Sequence, residues 1–188
     1  MSRAHTFGVL GVSTAAALAI LFGAGHALGF RLNFTDSAPL GLWRVHPLAA
    51  MERGELVEVC PPSLPIVRVM ADRGYLGPGD CTAGVVSLLK PIAAVPGDTV
   101  TVRAGQPLQV NGKALPWTEP MATLPGWPEG SYVVAEGYVW LLSTYSKGSF
   151  DSRYFGPVPM ANVRGRAAPV LVNGNTKNMT KTDGGIQP

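Results

Sequence analysis

The chain has 188 residues, a formal net charge of +3, 46% hydrophobic residues and only 14% charged ones. That length fits one domain with appendages, and a mild charge that is not gathered into a run leaves no electrostatic footprint for nucleic acid. Twenty-three glycines and 17 prolines favour many turns and short strands over a helical bundle.

From Ala4 to Phe30 there is no Asp, Glu, Lys or Arg. Residues 6–30 as a helix would extend roughly 37 Å, enough for a hydrocarbon core of about 30 Å. Arg3 and the amino terminus precede this stretch and Arg31 follows it, so residues 1–5 read as a cytoplasmic N-terminus. A cleaved secretory signal ending at Gly25-His26-Ala27 is the rival reading. A signal's apolar region is usually about 7–15 residues, shorter than this one, so a retained anchor is favoured. Either way the remainder is exported, with residues 31–172 as its folded domain.

Arg31 to Val45 leaves the membrane and turns, and Ser37 lies at most about 20 Å along the chain from the bilayer surface. Leu40, Leu42 and Trp43 either meet the interface or wall a pocket. Glu55 to Cys60 alternates as a strand, and Leu64 to Tyr75 carries Val67, Met70, Ala71 and Tyr75 near helical spacing. Gly74 and Gly77 close that helix. Cys60 and Cys81 bracket it, and in an exported domain they read as a disulfide, with two buried thiols as the alternative. Neither cysteine has a basic neighbour in sequence that would make it a nucleophile.

Val85 to Pro96 reads as a buried strand with one lysine, Lys90, among Leu88, Leu89, Ile92 and Val95. Burial disfavours the ammonium and lowers its pKa, and a neutral amine can activate a nucleophile. A strand-edge lysine reaching water is the plainer alternative. Pro96-Gly97-Asp98 turns into a strand over Thr99–Arg103. Leu108–Val110 and Lys113–Leu115 flank Asn111-Gly112, the pattern of a type I′ hairpin. Pro116–Gly130 is expected as an ordered surface loop, followed by strands at Ser131–Ala135 and Tyr138–Leu142. Ser143–Gly156 is a dense polar loop directly after a buried strand, a common setting for a site. Asn162–Val172 supplies a last strand, and residues 173–188 have little to bury and read as a mobile polar tail.

The lysines differ in setting. Lys113 follows a turn, Lys147 sits in a loop, and Lys177 and Lys181 lie in the tail, which leaves Lys90 as the one with surroundings that hold an amine neutral. A Ser-His-Asp triad would have to recruit His46, which precedes Pro47 and is close in sequence to Ser37. A Ser-Lys dyad needs a serine on a loop and a lysine on a buried strand, which Ser37 and Lys90 offer. His46, Cys60 and Cys81 show no ligand-pair spacing, so no metal site is expected.

Three segments make the chemistry recognisable. Asn33-Phe34-Thr35-Asp36-Ser37-Ala38-Pro39-Leu40-Gly41-Leu42-Trp43, then Leu89-Lys90-Pro91-Ile92-Ala93-Ala94-Val95-Pro96-Gly97-Asp98, then Ser149-Phe150-Asp151-Ser152-Arg153-Tyr154-Phe155-Gly156-Pro157-Val158 resemble, in order, the three signature boxes of type I signal peptidases. Gly74-Tyr75-Leu76 up to Cys81, and the wording of Asp151–Val158, look like the conjugative-transfer branch, whose members mature a pilin. The resemblance implies a mostly β, antiparallel fold with one short helix behind a single membrane helix. It implies Ser37 as nucleophile and Lys90 as general base. Thr35 and the Ser37 backbone N–H would form the oxyanion hole, and Ser149 would orient the lysine amine. Asp151 and Arg153 match a charged pair that holds the loop, with Asp151 open between scaffold and catalysis.

The expected protein is therefore a serine endopeptidase of the inner membrane, with its catalytic domain in the periplasm and no cofactor. Its substrate would be an exported pilin precursor, cut through an acyl-enzyme and either hydrolysed or closed head to tail. Other conjugation-apparatus proteins are expected partners; nucleic acid is not. Departures from general signal peptidases include Ala38-Pro39 after the nucleophile and Pro91 after the lysine. They weigh against the first alternative, a housekeeping signal peptidase. The second is a non-catalytic tethered scaffold of the transfer apparatus.

Overall fold

In this computed structural model residues 3–48 and 50–173 are described, with side chains from residue 11 onward. Helix α1, Arg3–Ala27, is followed by a hairpin of β1, Phe30–Asn33, and β2, Leu40–His46. Then come β3, Leu56–Val59, helix α2, Pro65–Asp72, β4, Leu88–Ala94, β5, Thr99–Val102, β6, Gln109–Val110, and β7, Lys113–Ala114. The chain closes with β8, Gly130–Val133, β9, Tyr138–Leu141, a helical turn α3, Ser152–Phe155, β10, Val158–Pro159, and β11, Val163–Asn173. A single 3-10 turn, Met160–Asn162, joins the last two.

The strands form two antiparallel sheets. One has seven strands in the order β1-β2-β11-β3-β4-β9-β10, and the other has four in the order β7-β6-β5-β8. The fold is mostly β, as the composition implied. Asn111 and Gly112 both adopt positive φ, 50° and 78°, which a type I′ turn requires. Gly41 has a φ of 134° and its missing Cβ lets the β11 backbone at Leu171 approach closely, which is why β2 tolerates no side chain there.

Several elements depart from expectation. Residues 31–45, read as a turning exit, hold the β1–β2 hairpin, whose short strands carry no clean alternation. The lysine strand is shorter than Val85–Pro96, because Val85 instead bridges Pro78 outside the strand. The polar loop after β9 contains α3, and the 116–130 loop is not merely superficial. Thr118 is fully buried and the Trp117 carbonyl accepts from Arg153, so this loop is tucked over α3.

The expected membrane span over residues 6–30 is not shown by the described residues. Its helix ends at Ala27, and among the described residues no helix is long and apolar enough to cross a membrane. The side chains of residues 6–10 lie outside the described ones, as do residues 174–188 of the expected tail. What the structure does show is that Val12, Leu18, Ile20, Leu21 and Phe22 of α1 are all exposed.

Cys60 and Cys81 form a disulfide with Cα atoms 5.4 Å apart. It closes a loop that contains α2, the two cysteines lying 21 positions apart in sequence. Replacing both by serine is expected to lower stability by about 3 kcal/mol. The denaturation midpoint reads this out, and an unmoved midpoint would refute it.

Candidate active site

Lys90 lies on β4, between β3 and β9 in the interior of the larger sheet, where Val57 pairs with it in register. By alternation it shares a face with Leu88 and Ile92, which pack in the main core with Phe150. Its neighbour Leu89 faces the other way. There it joins a smaller apolar cluster with Ala38, Trp43, Leu56 and Ala167. Ala38 immediately follows Ser37, so one cluster ties the serine turn to the lysine strand. Ser37 and Lys90 line the same cavity of about 570 Å³.

The serine turn, residues 34–39, is held from within. Asn33 Nδ2 donates to the carbonyls of Thr35, Ala38 and Pro39 at 2.9, 2.9 and 3.1 Å. Trp43 Nε1 also donates to the Pro39 carbonyl, at 3.0 Å. From the far side Ser143 Oγ, just past β9, donates to the Ser37 carbonyl at 2.7 Å. Ser37 itself is half-buried, open to the cavity.

Proton bookkeeping fixes one direction in this turn. Three carbonyl partners identify Nδ2 of Asn33, which leaves Oδ1 as an acceptor. Oδ1 takes the Thr35 N–H at 3.2 Å and the Thr35 hydroxyl at 3.0 Å. The Thr35 hydroxyl has one proton, so in its 3.1 Å contact with Ser37 Oγ it is Ser37 that donates. Thr35 therefore has to rotate its O–H away from Asn33 before it can donate to an oxyanion.

Lys90 is 3% exposed, and its Nζ donates to Ser149 Oγ at 2.7 Å. Burial pushes its amine down to about 8; Asp151 opposes that shift and Arg153 adds to it. Ser37 and Lys90 do not hydrogen-bond each other in this arrangement: the hydroxyl is turned to Thr35 and the amine to Ser149. Resting sites often have such looser geometry, which tightens on substrate.

Asp151 and Arg153 are both fully buried. Asp151 Oδ1 accepts from Arg153 Nε at 2.8 Å and from the Arg153 N–H at 3.2 Å. Oδ2 accepts from Arg153 Nη2 at 2.9 Å and from the Ser143 N–H at 3.0 Å. The guanidinium's remaining donors go to the carbonyls of Ser143, Trp117 and Lys147. This pair thus shapes the loop that carries both Ser143 and Ser149.

The structure brings Thr35, Ser37, Lys90, Ser149, Asp151 and Arg153 into one region, and sets Cys60 and Cys81 beside it on the loop that supplies Leu76, Val86 and Ser87 to the cavity. Sequence reasoning missed Asn33 and Ser143. An Asn two residues before Thr35 is a recognisable local turn-former, but nothing in sequence joins Ser143 to a carbonyl 106 positions away.

Residues 5–172 match the family described as signal peptidase, peptidase S26. The chain is 36% identical over 178 residues to the plasmid transfer protein TraF of Escherichia coli, covering 91% of this chain and 99% of that one. It is 41% identical over 152 residues to a probable conjugal transfer protein TraF of Sinorhizobium fredii, covering 76% and 77%. A solved signal peptidase I of Enterococcus faecalis V583 is 21% identical and covers 63% of this chain and 97% of that chain, with a TM-score of 0.37, too distant to bear on the site. The family match extends from before the serine turn to past the polar loop after β9, and the chain accordingly belongs to the signal peptidase family, peptidase S26.

Proposed function

We propose that this chain is a membrane-anchored Ser-Lys endopeptidase that matures an exported pilin precursor of a conjugative transfer system. The observation that carries the reading is the buried Lys90 amine, held by Ser149 on the cavity that Ser37 also lines. Lys90 rotates from Ser149 to take the Ser37 proton, and Ser37 Oγ attacks the scissile carbonyl. The Ser37 N–H and the turned Thr35 hydroxyl receive the oxyanion. Loss of one such donor typically costs about 3–4 kcal/mol of transition-state stabilisation. Lys90 then gives its proton to the leaving amine, and an acyl-enzyme remains on Ser37. Water, or the substrate's own amino terminus, releases it.

The conjugative substrate is supported by the relatives, which are named as plasmid and conjugal transfer proteins. The anchor is supported by the charge-free stretch from Ala4 to Phe30 and by the exposed apolar side chains of α1, which also walls the cavity through Leu21 and Phe22. On this reading the cavity opens beside a periplasmic membrane surface. Incubating the full chain with the pilin precursor is expected to give a cleaved product after a small residue. Intact mass distinguishes the release step, because a cyclised product is one water lighter than the linear chain. An uncut precursor would overturn the proposal, as would cleavage of unrelated exported precursors at the same rate for its narrow substrate.

A further inference from the structure

Tyr75 follows α2 in the Gly74-Tyr75-Leu76 stretch, inside the loop that the Cys60–Cys81 disulfide closes. Gly74 ends the helix at a φ of 72°, and the N–H groups of Tyr75 and Leu76 both donate to the Met70 carbonyl, at 2.9 and 3.2 Å. Leu76 is buried, so the backbone at Tyr75 is fixed while its own side chain stays 52% exposed on the cavity rim. The ring meets Phe150 edge-on with centroids 6.3 Å apart. Its hydroxyl donates to the Gly148 carbonyl at 2.6 Å, across 73 residues of sequence.

Gly148 immediately precedes Ser149, the partner of Lys90. Next to it, the Ser146 hydroxyl and carbonyl accept from the N–H groups of Gly148 and Ser149 at 3.2 Å each, and the Lys147 carbonyl accepts from Arg153 Nη1 at 3.1 Å. We infer that Tyr75 is a positioning residue of the lysine site: its hydroxyl clasps the Gly148–Ser149 segment, and Ser149 in turn aims the Lys90 amine. The inference rests on the peptidase reading for its catalytic consequence but not for its geometry. Burial raises the Tyr75 pKa, so the hydroxyl stays a donor across the working pH range. The charged groups that act on the Lys90 amine are Asp151 and Arg153; Glu58 of the adjacent strand lines the same cavity. All three keep their partners when only the Tyr75 hydroxyl is removed.

Tyr75→Phe isolates the clasp, because the ring contact with Phe150 survives. Two readouts are taken on the full chain: titration of Lys90 by NMR of its side chain, and kcat and KM on the precursor. With the segment loosened, water reaches the amine, and the Lys90 pKa is expected to rise from about 8 by about half a unit or more. The kcat is expected to fall about ten- to a hundredfold with little change in KM. An unmoved lysine titration with wild-type kcat would overturn the inference. So would a raised KM at unchanged kcat, which would mark Tyr75 as a substrate contact. A shifted lysine titration in a protein whose wild type cuts no precursor would uphold the clasp and overturn the peptidase reading.

Discussion

Lys90→Met is expected to abolish processing while making the protein more stable at neutral pH. Removing a catalytic base that acts as a unit with its nucleophile typically costs about four to six orders of magnitude in kcat, and Ser37→Ala is expected to cost as much, with no further loss in the double variant. The stability effect has the opposite sign. The folded-state pKa of about 8 lies below the ordinary lysine value of 10.5, so the folded protein holds its ammonium under strain. Between those two pH values the unfolded chain binds the extra proton, and wild-type stability rises with pH. The full penalty, about 3 kcal/mol from the shift, is present below pH 8 and fades toward pH 10.5. Methionine removes it, offset by about 1 kcal/mol for the lost bond to Ser149. Thermal unfolding of both proteins at pH 7 and pH 10.5 checks this: the variant leads by about 2 kcal/mol at the lower pH, and the lead disappears at the higher. A variant that is less stable at pH 7, or that still processes precursor, would remove Lys90 from the role of base.

Arg153→Met is expected to destabilise the fold by about 3–5 kcal/mol, because it leaves the Asp151 carboxylate buried without its counter-charge. Both side chains are fully buried and the guanidinium also satisfies three carbonyls, so its removal leaves those acceptors unpaired as well. Activity is expected to fall further than unfolding alone explains, since Ser143 and Ser149 hang on the same loop and contact Ser37 and Lys90. The Asp151 carboxylate already accepts two hydrogen bonds on each oxygen, all within this pair and to Ser143. That arrangement supports a scaffold role for Asp151 over a proton-carrying one. Urea denaturation of Arg153→Met, with the processing rate measured well below its midpoint, tests both parts. A loss below about 1 kcal/mol would be the mark of a surface pair and would contradict the argument.

Local rules reached the elements whose residues state their own purpose. Strands β3, β4, β5, β9 and β11 were legible because period-2 alternation or a continuous apolar run survives in each, and Asn111-Gly112 named its own turn. Helix α2 showed in the spacing of Val67 and Met70, both buried. The β1–β2 hairpin was not legible, since Phe30–Asn33 is only partly buried and Pro39 interrupts the pattern. Segment α3 escaped because four residues are too few for a helical period.

At the site, the sequence by itself determined which residue types were present in which order: a serine turn, a lysine alone among apolar neighbours, and a polar loop after a buried strand. Those depend on nearest neighbours, and so they are written in the chain. Only the tertiary structure decided who faces whom. Lys90 rests on Ser149, Ser143 holds the Ser37 carbonyl, and Tyr75 reaches Gly148. The reason is physical: a hydrogen bond from a side chain to a distant partner has no period and no local composition. It exists because sheet order sets β4 between β3 and β9, which brings the segments following those strands together beside its lysine.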